Sequence, residues 1–367
     1  MLAGPLATMV LADLGASVTK VERPDVGDDT RAWGPPYDAS GVATYFQSVN
    51  RNKDSVTLDL RDARDVERAR ELVSAADVLV ENFRPGLMDE LGLGYEALRA
   101  GRPQLVYCSI TGFGAATPEA AALPGYDLLV QALGGLMSIT GSADGEPQKV
   151  GVALVDVICG LFASVGILAA LRHRERTGEG QRVEVNLLSC LLAALVNQGS
   201  AFTAAGVVAH RMGNAHPSVA PYDLFATADA DLVLAVGTDG QFRTLTDALG
   251  CPELADDERF AANSARVANR EALHERLEAC LRAEPAAHWA RVLTAARVPA
   301  GEVNDIAGAF ALAEALGLEP IVELPTTDGD VVRLTRNPIG LSATPAVYRS
   351  APPVLAPVSP QTTHENL

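Results

Sequence analysis

Positive charge is scarce in this chain: 29 Lys and Arg stand against 46 Asp and Glu among 367 residues, a formal net charge of −17. Such a balance repels phosphate backbones and anionic headgroups. It excludes nucleic acid and an anionic membrane surface as the main partner, and it requires any anionic ligand to be held by a local arginine cluster. Cysteine is scarce too. The five, Cys108, Cys159, Cys190, Cys251 and Cys280, are odd in number, far apart and mostly set in apolar or helical context. They read as reduced core residues of a cytoplasmic protein, with neither a disulfide framework nor a zinc site, and no metal is expected. Long hydrophobic runs are few: the longest, ending at Leu171, has 15 residues with two glycines inside it, short for a bilayer span. No basic region followed by an A-x-A pattern opens the chain, so no signal peptide is expected. The dinucleotide fingerprint G-x-G-x-x-G is missing as well, since no second phosphate-loop glycine follows Ala3-Gly4-Pro5 at the right spacing. That argues against a nicotinamide or flavin ligand.

What is present is enough apolar residue for about two domains. Residues 2–14 read as a helix, with Pro5 in the first turn and Gly15 beyond the end, and Val18–Glu22 alternates as a strand. A helix followed by a strand, with no strand before it, predicts that a first strand of the fold lies outside this numbering. Ser55–Leu60 and Val78–Glu81 read as strands, as does Leu105–Ile110; helices are expected at 62–74 and 87–99. This alternation predicts a doubly wound, parallel, Rossmann-like sheet with ligands at the carboxyl ends of its strands, where Asn82-Phe83 and Gly112-Phe113 lie. A strand at 181–186 and an apolar helix at 187–205 complete the first part, 1–205. Residues 206–318 read as a smaller α+β domain, with a hairpin around Ala228–Asp231 and several helices. Residues 319–367 alternate again, turn proline-rich, and are expected to return to the large domain.

The chain is organised around Gly151-Val152-Ala153-Leu154-Val155-Asp156, where a lone carboxylate stands at the start of a long apolar helix. Two readings of Asp156 are open and compatible. Asp is a favoured helix N-cap, and a bare carboxylate near a helix N-terminus is also a nucleophile that needs no base at neutral pH. The positive charges of residues 23–54, among them Arg23, Arg31, Arg51 and Lys53, gather in an otherwise acidic protein. They mark either a site for phosphates or carboxylates, or merely solvated loops.

Several stretches taken together resemble the class III CoA-transferase (CaiB/BaiF) family. They include Ala3-Gly4-Pro5, Gly27-Asp28-Asp29-Thr30-Arg31, Asn50-Arg51-Asn52-Lys53, Glu81-Asn82-Phe83-Arg84-Pro85-Gly86, Gly125-Tyr126-Asp127, Gly151 to Asp156 and Thr177-Gly178-Glu179-Gly180-Gln181. Their order and spacing carry the likeness over nearly the whole chain. The resemblance implies an acyl-CoA:carboxylate CoA-transferase with no permanently bound cofactor, coenzyme A and acyl-CoA being substrates and a carboxylic acid the acceptor. It further implies an interlocked homodimer.

By the same resemblance Asp156 is the catalytic aspartate, carried through an aspartyl-CoA thioester, and Asp127 is a second carboxylate that orients substrate or a backbone N–H. Arg23 and the Gly27–Arg31 loop would bind CoA phosphates, Leu58, Leu60 and Arg61 the adenine end, and Asn82 and Phe83 the pantetheine arm. Oxyanion donors are expected from the helix N-terminus after Asp156 and from nearby glycine loops. The acyl pocket is expected from loops near 33–48 and 137–147 together with the partner's small domain. No glycine run matches the site-covering loop of formyl-CoA transferases, which argues against oxalate or formate. Two other readings share the fold. A 2-methylacyl-CoA racemase would need a histidine where Tyr126 stands, and an inactive CoA-binding homologue would bind CoA without turnover.

Overall fold

In the computed structural model, which describes residues 2–38 and 41–357, the alternating patterns of the first third become short elements. They are α1 (Ala3–Asp13), β1 (Val18–Glu22), α2 (Thr44–Gln47), β2 (Lys53–Thr57), α3 (Ala63–Ala75), β3 (Val78–Glu81), α4 (Leu87–Glu90), α5 (Tyr95–Gly101) and β4 (Val106–Thr111). Next come α6 (Pro118–Ala122), α7 (Asp127–Leu133), α8 (Leu136–Ile139), the long α9 (Leu154–Thr177), β5 (Arg182–Asn186), α10 (Leu187–Ala194) and α11 (Val196–Ala205). Three elements depart from expectation. The strand placed at 55–60 begins two residues earlier and stops at Thr57, because Lys53 turns inward and its Nζ donates to Pro5 O, Val49 O and Asn50 Oδ1. The helix expected over 87–99 is cut in two around Gly92, whose φ of +67° no helix accepts. The helix expected over 187–205 bends by 85° between α10 and α11, where Val196 has a φ of +41°.

The parallel pairing is present, but not as one sheet. β1 pairs β2 from Val18–Lys53 to Glu22–Thr57, and a separate sheet has the order β3-β4-β5, also parallel. The single doubly wound sheet expected from the sequence is thus corrected to two parallel pieces among the described residues. β4 is buried along Val106–Ile110, as a strand covered on both faces must be.

α9 supplies the core of this unit through one stripe, Val155, Cys159, Ala163, Ile167 and Ala170, at helical spacing. Gly160 lets α1 approach closely, since a Cβ there would sit 2.7 Å from Ala3 O. The opposite stripe is bare: Leu161, Phe162, Val165 and Leu168 are 47–63% exposed. With 24 residues and a mean hydropathy of 2.4 over its most apolar stretch, of which 39% is buried, α9 is long and apolar enough to cross a membrane. The 15-residue run seen in the sequence understated the helix, which continues through Arg172–Thr177.

Two compact units divide the chain, one formed by Met1–Leu136, Lys149–Val208 and Glu319–Leu367, the other by Met137–Gln148 and Ala209–Leu318. The stretch 137–148, assigned to the large domain from sequence, groups with the second unit. There Gly213 N–H donates to Gly141 O, and the Arg211 side chain donates to Ser142 O and Gly145 O. The second unit has an antiparallel sheet of β6 (Tyr222–Ala226), β7 (Asp231–Ala235) and β8 (Ala300–Glu302). Its helices are α12 (Asp239–Ala248), α13 (Glu253–Asp256), α14 (Asn263–Ala268), α15 (Arg270–Leu281), α16 (Ala286–Ala295) and α17 (Ile306–Ala315). Phe225, Leu232, Phe242, Leu277 and Trp289 fill its core.

The hairpin β9 (Ile321–Pro325) and β10 (Val331–Thr335) returns the chain to the first unit. The segment beyond it lies along that unit: Val347 N–H donates to Asp13 O, Asn52 N–H to Ser350 O, Arg31 to Pro353 O, and Thr57 Oγ1 to Pro357 O. Val358, Ser359 and Pro360 of the proline-rich tail lie outside the described residues. All five cysteines carry free thiols.

Candidate active site

Two glycines bring the site together. Gly112 follows β4, Gly125 precedes α7, and their backbones meet so closely that a Cβ on Gly112 would lie 2.4 Å from Gly125 Cα. Any larger residue at either position would push α7 away from the end of β4. Asp127, the first residue of α7, is thereby delivered to the start of α9.

Asp156 is the third residue of α9, after Ala153 in the cap position, and its side chain makes no cap hydrogen bond. The N-cap reading of Asp156 is therefore corrected: the cap comes from Asp127. Asp127 Oδ2 accepts from Val155 N–H at 2.8 Å and from Asp156 N–H at 3.1 Å, while Oδ1 accepts from Gln131 Nε2 at 2.5 Å. Gln131 is fully buried and its Oε1 accepts from Val150 N–H at 2.9 Å. These bonds occupy the first-turn donors of α9, and Leu154 N–H donates to Val152 O. The expected oxyanion donors at this helix start are thus engaged within the protein.

The two carboxylates differ in environment. Asp127 is saturated by three N–H donors, whereas Asp156 takes no hydrogen bond from any described residue. Burial, and then the negative charge of Asp127, push the Asp156 carboxyl up to about 6. A carboxyl shifted upward by burial beside a second acid is a pattern of acid–base and nucleophilic sites. Tyr45 on α2 faces the same pair: burial, then the charges of Asp156 and Asp127, raise its hydroxyl above the usual range. Its ring meets Trp33 edge-on, with centroids 5.4 Å apart.

Tyr45 and Gln131 were not singled out from the sequence. Gln131 left a trace, standing four residues after Asp127 on one helix face; Tyr45 left only its place in the 33–48 loop region. Tyr126 points outward, 55% exposed.

The residues expected to hold CoA divide into two groups. Asn82 and Phe83 are exposed at the end of β3, with Asn82 facing Gly4 of α1 and Phe83 N–H donating to Glu81. Arg23 is exposed and ion-paired with Asp29, and Arg61, its side chain 91% exposed, pairs with Asp59. Arg31 turns inward instead. Its guanidinium makes two hydrogen bonds to Glu22, at 2.8 and 2.7 Å, a third to Pro353 O, and lies over the Phe46 ring at 3.8 Å. Burial alone would raise Glu22, but Arg31 and neighbouring donors hold it below its ordinary value. Leu58 is 1% exposed in a core cluster, and Leu60 packs against that cluster. The side chains of Arg31 and Leu58 are thus engaged within the protein, Arg31 by Glu22 and Pro353 and Leu58 by its core cluster.

The basic cluster of 23–54 changes character likewise. Arg51 and Lys53 are 2% and 3% exposed, and Arg51 is clamped on Asp13 at 2.6 Å. His216 packs on Tyr222 and accepts from Ser218 N–H through Nδ1. His274 stacks on Phe225 with its Nε2 3.0 Å from Leu224 O. A cavity of about 190 Å³ lined by Asp38, Thr44, Gln47, Thr326 and Asp330–Arg333 includes neither Asp127 nor Asp156.

Comparison with known proteins places this geometry. The model of CoA-transferase family III matches residues 1–356. The chain is 44% identical to a succinate–glutarate CoA-transferase of Agrobacterium fabrum, over 97% of this chain and 90% of that protein. It is 42% identical to an acetyl-CoA:oxalate CoA-transferase of Acetobacter aceti, over 93% of this chain and 86% of that protein. Among solved structures, a CaiB/BaiF family protein from Brucella suis superposes with a TM-score of 0.84 at 45% identity, covering 96% of this chain and 93% of that one. The chain belongs to CoA-transferase family III and is an enzyme that transfers coenzyme A.

Proposed function

We propose that the chain moves CoA from an acyl-CoA to a free carboxylic acid through covalent intermediates on Asp156. The observation that supports this most is the unliganded Asp156 carboxylate beside a saturated one. With its pKa near 6 the group is ionised at neutral pH, yet no described residue donates to it. One Asp156 oxygen adds to the thioester carbonyl and the C–S bond breaks, giving a mixed anhydride and CoA thiolate. The thiolate attacks the aspartyl carbonyl, the donor acid leaves as carboxylate, and an aspartyl-CoA thioester remains. The acceptor carboxylate displaces the thiolate from that thioester, and the thiolate then takes the acceptor's acyl carbon, restoring the Asp156 carboxylate.

The acids named for the two relatives are succinate, glutarate and oxalate, so a short dicarboxylate is the acceptor class proposed here. The oxalate relative weakens the exclusion drawn from the missing glycine run. Arg23, Arg61, Asn82 and Phe83, all exposed, are the proposed CoA contacts. Two copies are proposed to pair through the bare stripe of α9, because an apolar face of that size in water is costly, and the free thiols suit a reducing cytoplasm.

A transfer screen tests the reaction: one labelled acyl-CoA, a panel of mono- and dicarboxylates, and mass spectrometry of the protein. The expected outcome is a CoA adduct on the peptide bearing Asp156 and no turnover by Asp156→Ala. Wild-type rates in that variant would overturn the assignment.

A further inference from the structure

Gln131 does not touch the face of Asp156 where substrate would arrive, and no sequence motif flags it, yet its geometry admits a single arrangement. It is fully buried. Its Oε1 must accept from Val150 N–H, which can only donate, so its Nε2 must face Asp127. Turning the amide over would set donor against donor at Val150 and oxygen against oxygen at Asp127. The same bonds hold Asp127 as an acceptor: its two oxygens face N–H groups, from Gln131 on one side and from Val155 and Asp156 on the other.

We propose that Gln131 is a positioning residue for CoA transfer: it locks Asp127 as the anionic brace on the first turn of α9, so that any proton shared by the two acids resides on Asp156. This rests on the reading of Asp156 as the nucleophile. The fixed charge of Asp127 opposes the Asp156 anion before attack. That opposition ends once Asp156 is acylated and neutral, so the brace favours progress to the covalent state. Among the described residues, the other titratable groups beside the pair are the Tyr45 hydroxyl on α2, Cys159 on α9, and Cys190 on α10, which neighbours Cys159; the chain's amino-terminal charge acts on Asp156 as well.

Two variants separate this role from packing. Gln131→Met keeps length and removes both polar contacts; Gln131→Glu keeps shape and the acceptor for Val150 but donates to Asp127 only while protonated. Esterification by a diazo compound, which attacks protonated carboxyls, followed by peptide mass spectrometry, reads which acid holds the proton whether or not the enzyme turns over. At about pH 5.5 the wild type is expected to be labelled at Asp156 and not at Asp127. Gln131→Met is expected to be labelled at both, with kcat down about ten-fold or more and KM for acyl-CoA within about two-fold. Gln131→Glu is expected to exceed Gln131→Met in transfer at about pH 5.5 and to lose that advantage by about pH 7.5. Asp127 left unlabelled in both variants, or pH profiles of kcat that superpose on the wild type, would overturn the proposal. A wild type that transfers no CoA would instead sink the reading of function, and the labelling pattern would still decide the role of Gln131.

Discussion

Asp127 and Asp156 are the same residue type at the starts of neighbouring helices, and only their partners distinguish them. Asp127 accepts from three N–H donors, while Asp156 accepts from no described residue and titrates near 6. Because kcat/KM follows the free enzyme, CoA transfer is expected to rise as pH increases through about 6 and then level off, with acyl-CoA at limiting concentration as the measurement. The same shift acts on stability with a definite sign. The folded state holds the Asp156 proton more tightly than the unfolded chain, whose carboxyl titrates at 3.8. Stability is therefore full below 3.8, falls as pH rises, and is lower by about 3 kcal/mol above 6. Asp156→Asn removes that cost. It is expected to unfold at higher denaturant concentration than the wild type at pH 7.5, to match it at pH 4, and to transfer no CoA.

At the scale of elements, the basic residues after β1 split by burial rather than by charge. Arg31→Met strips Glu22, itself 4% exposed, of its partner and is expected to cost about 3 kcal/mol in urea unfolding. Arg61→Ala removes only a solvent-facing ion pair. It is expected to leave the melting temperature unchanged while raising KM for acyl-CoA several-fold, if that side chain meets the nucleotide end. The sequence showed all these residues as one positive cluster. It could not show which guanidinium would turn inward, because that depends on Pro353 O, brought from the far end of the chain. The elements themselves were more legible: β3 and β4 stand within a residue of their expected bounds, since each is a strongly apolar pattern. Helices broken by a single left-handed residue, such as the one interrupted at Gly92, were not.

For the whole molecule, the bare stripe of α9 is the feature a lone chain leaves unresolved. Light scattering is expected to give twice the mass of one chain. Val165→Glu, a charge set at the middle of that stripe, is expected to shift the enzyme toward the single-chain mass, with transfer falling in parallel. A wild type that runs as one chain at micromolar concentration would remove the dimer from the reading.

The order of motifs from Ala3-Gly4-Pro5 to Thr177-Gly178 was enough to place the chain in its family and to single out Asp156, because spacing along a chain survives in the sequence. Which acid caps α9, which carries the titrating proton, and which arginines are free to meet a ligand were decided only by the fold. Each of those properties belongs to a set of hydrogen bonds between residues 19 to more than 300 positions apart, and a one-dimensional pattern does not record who meets whom.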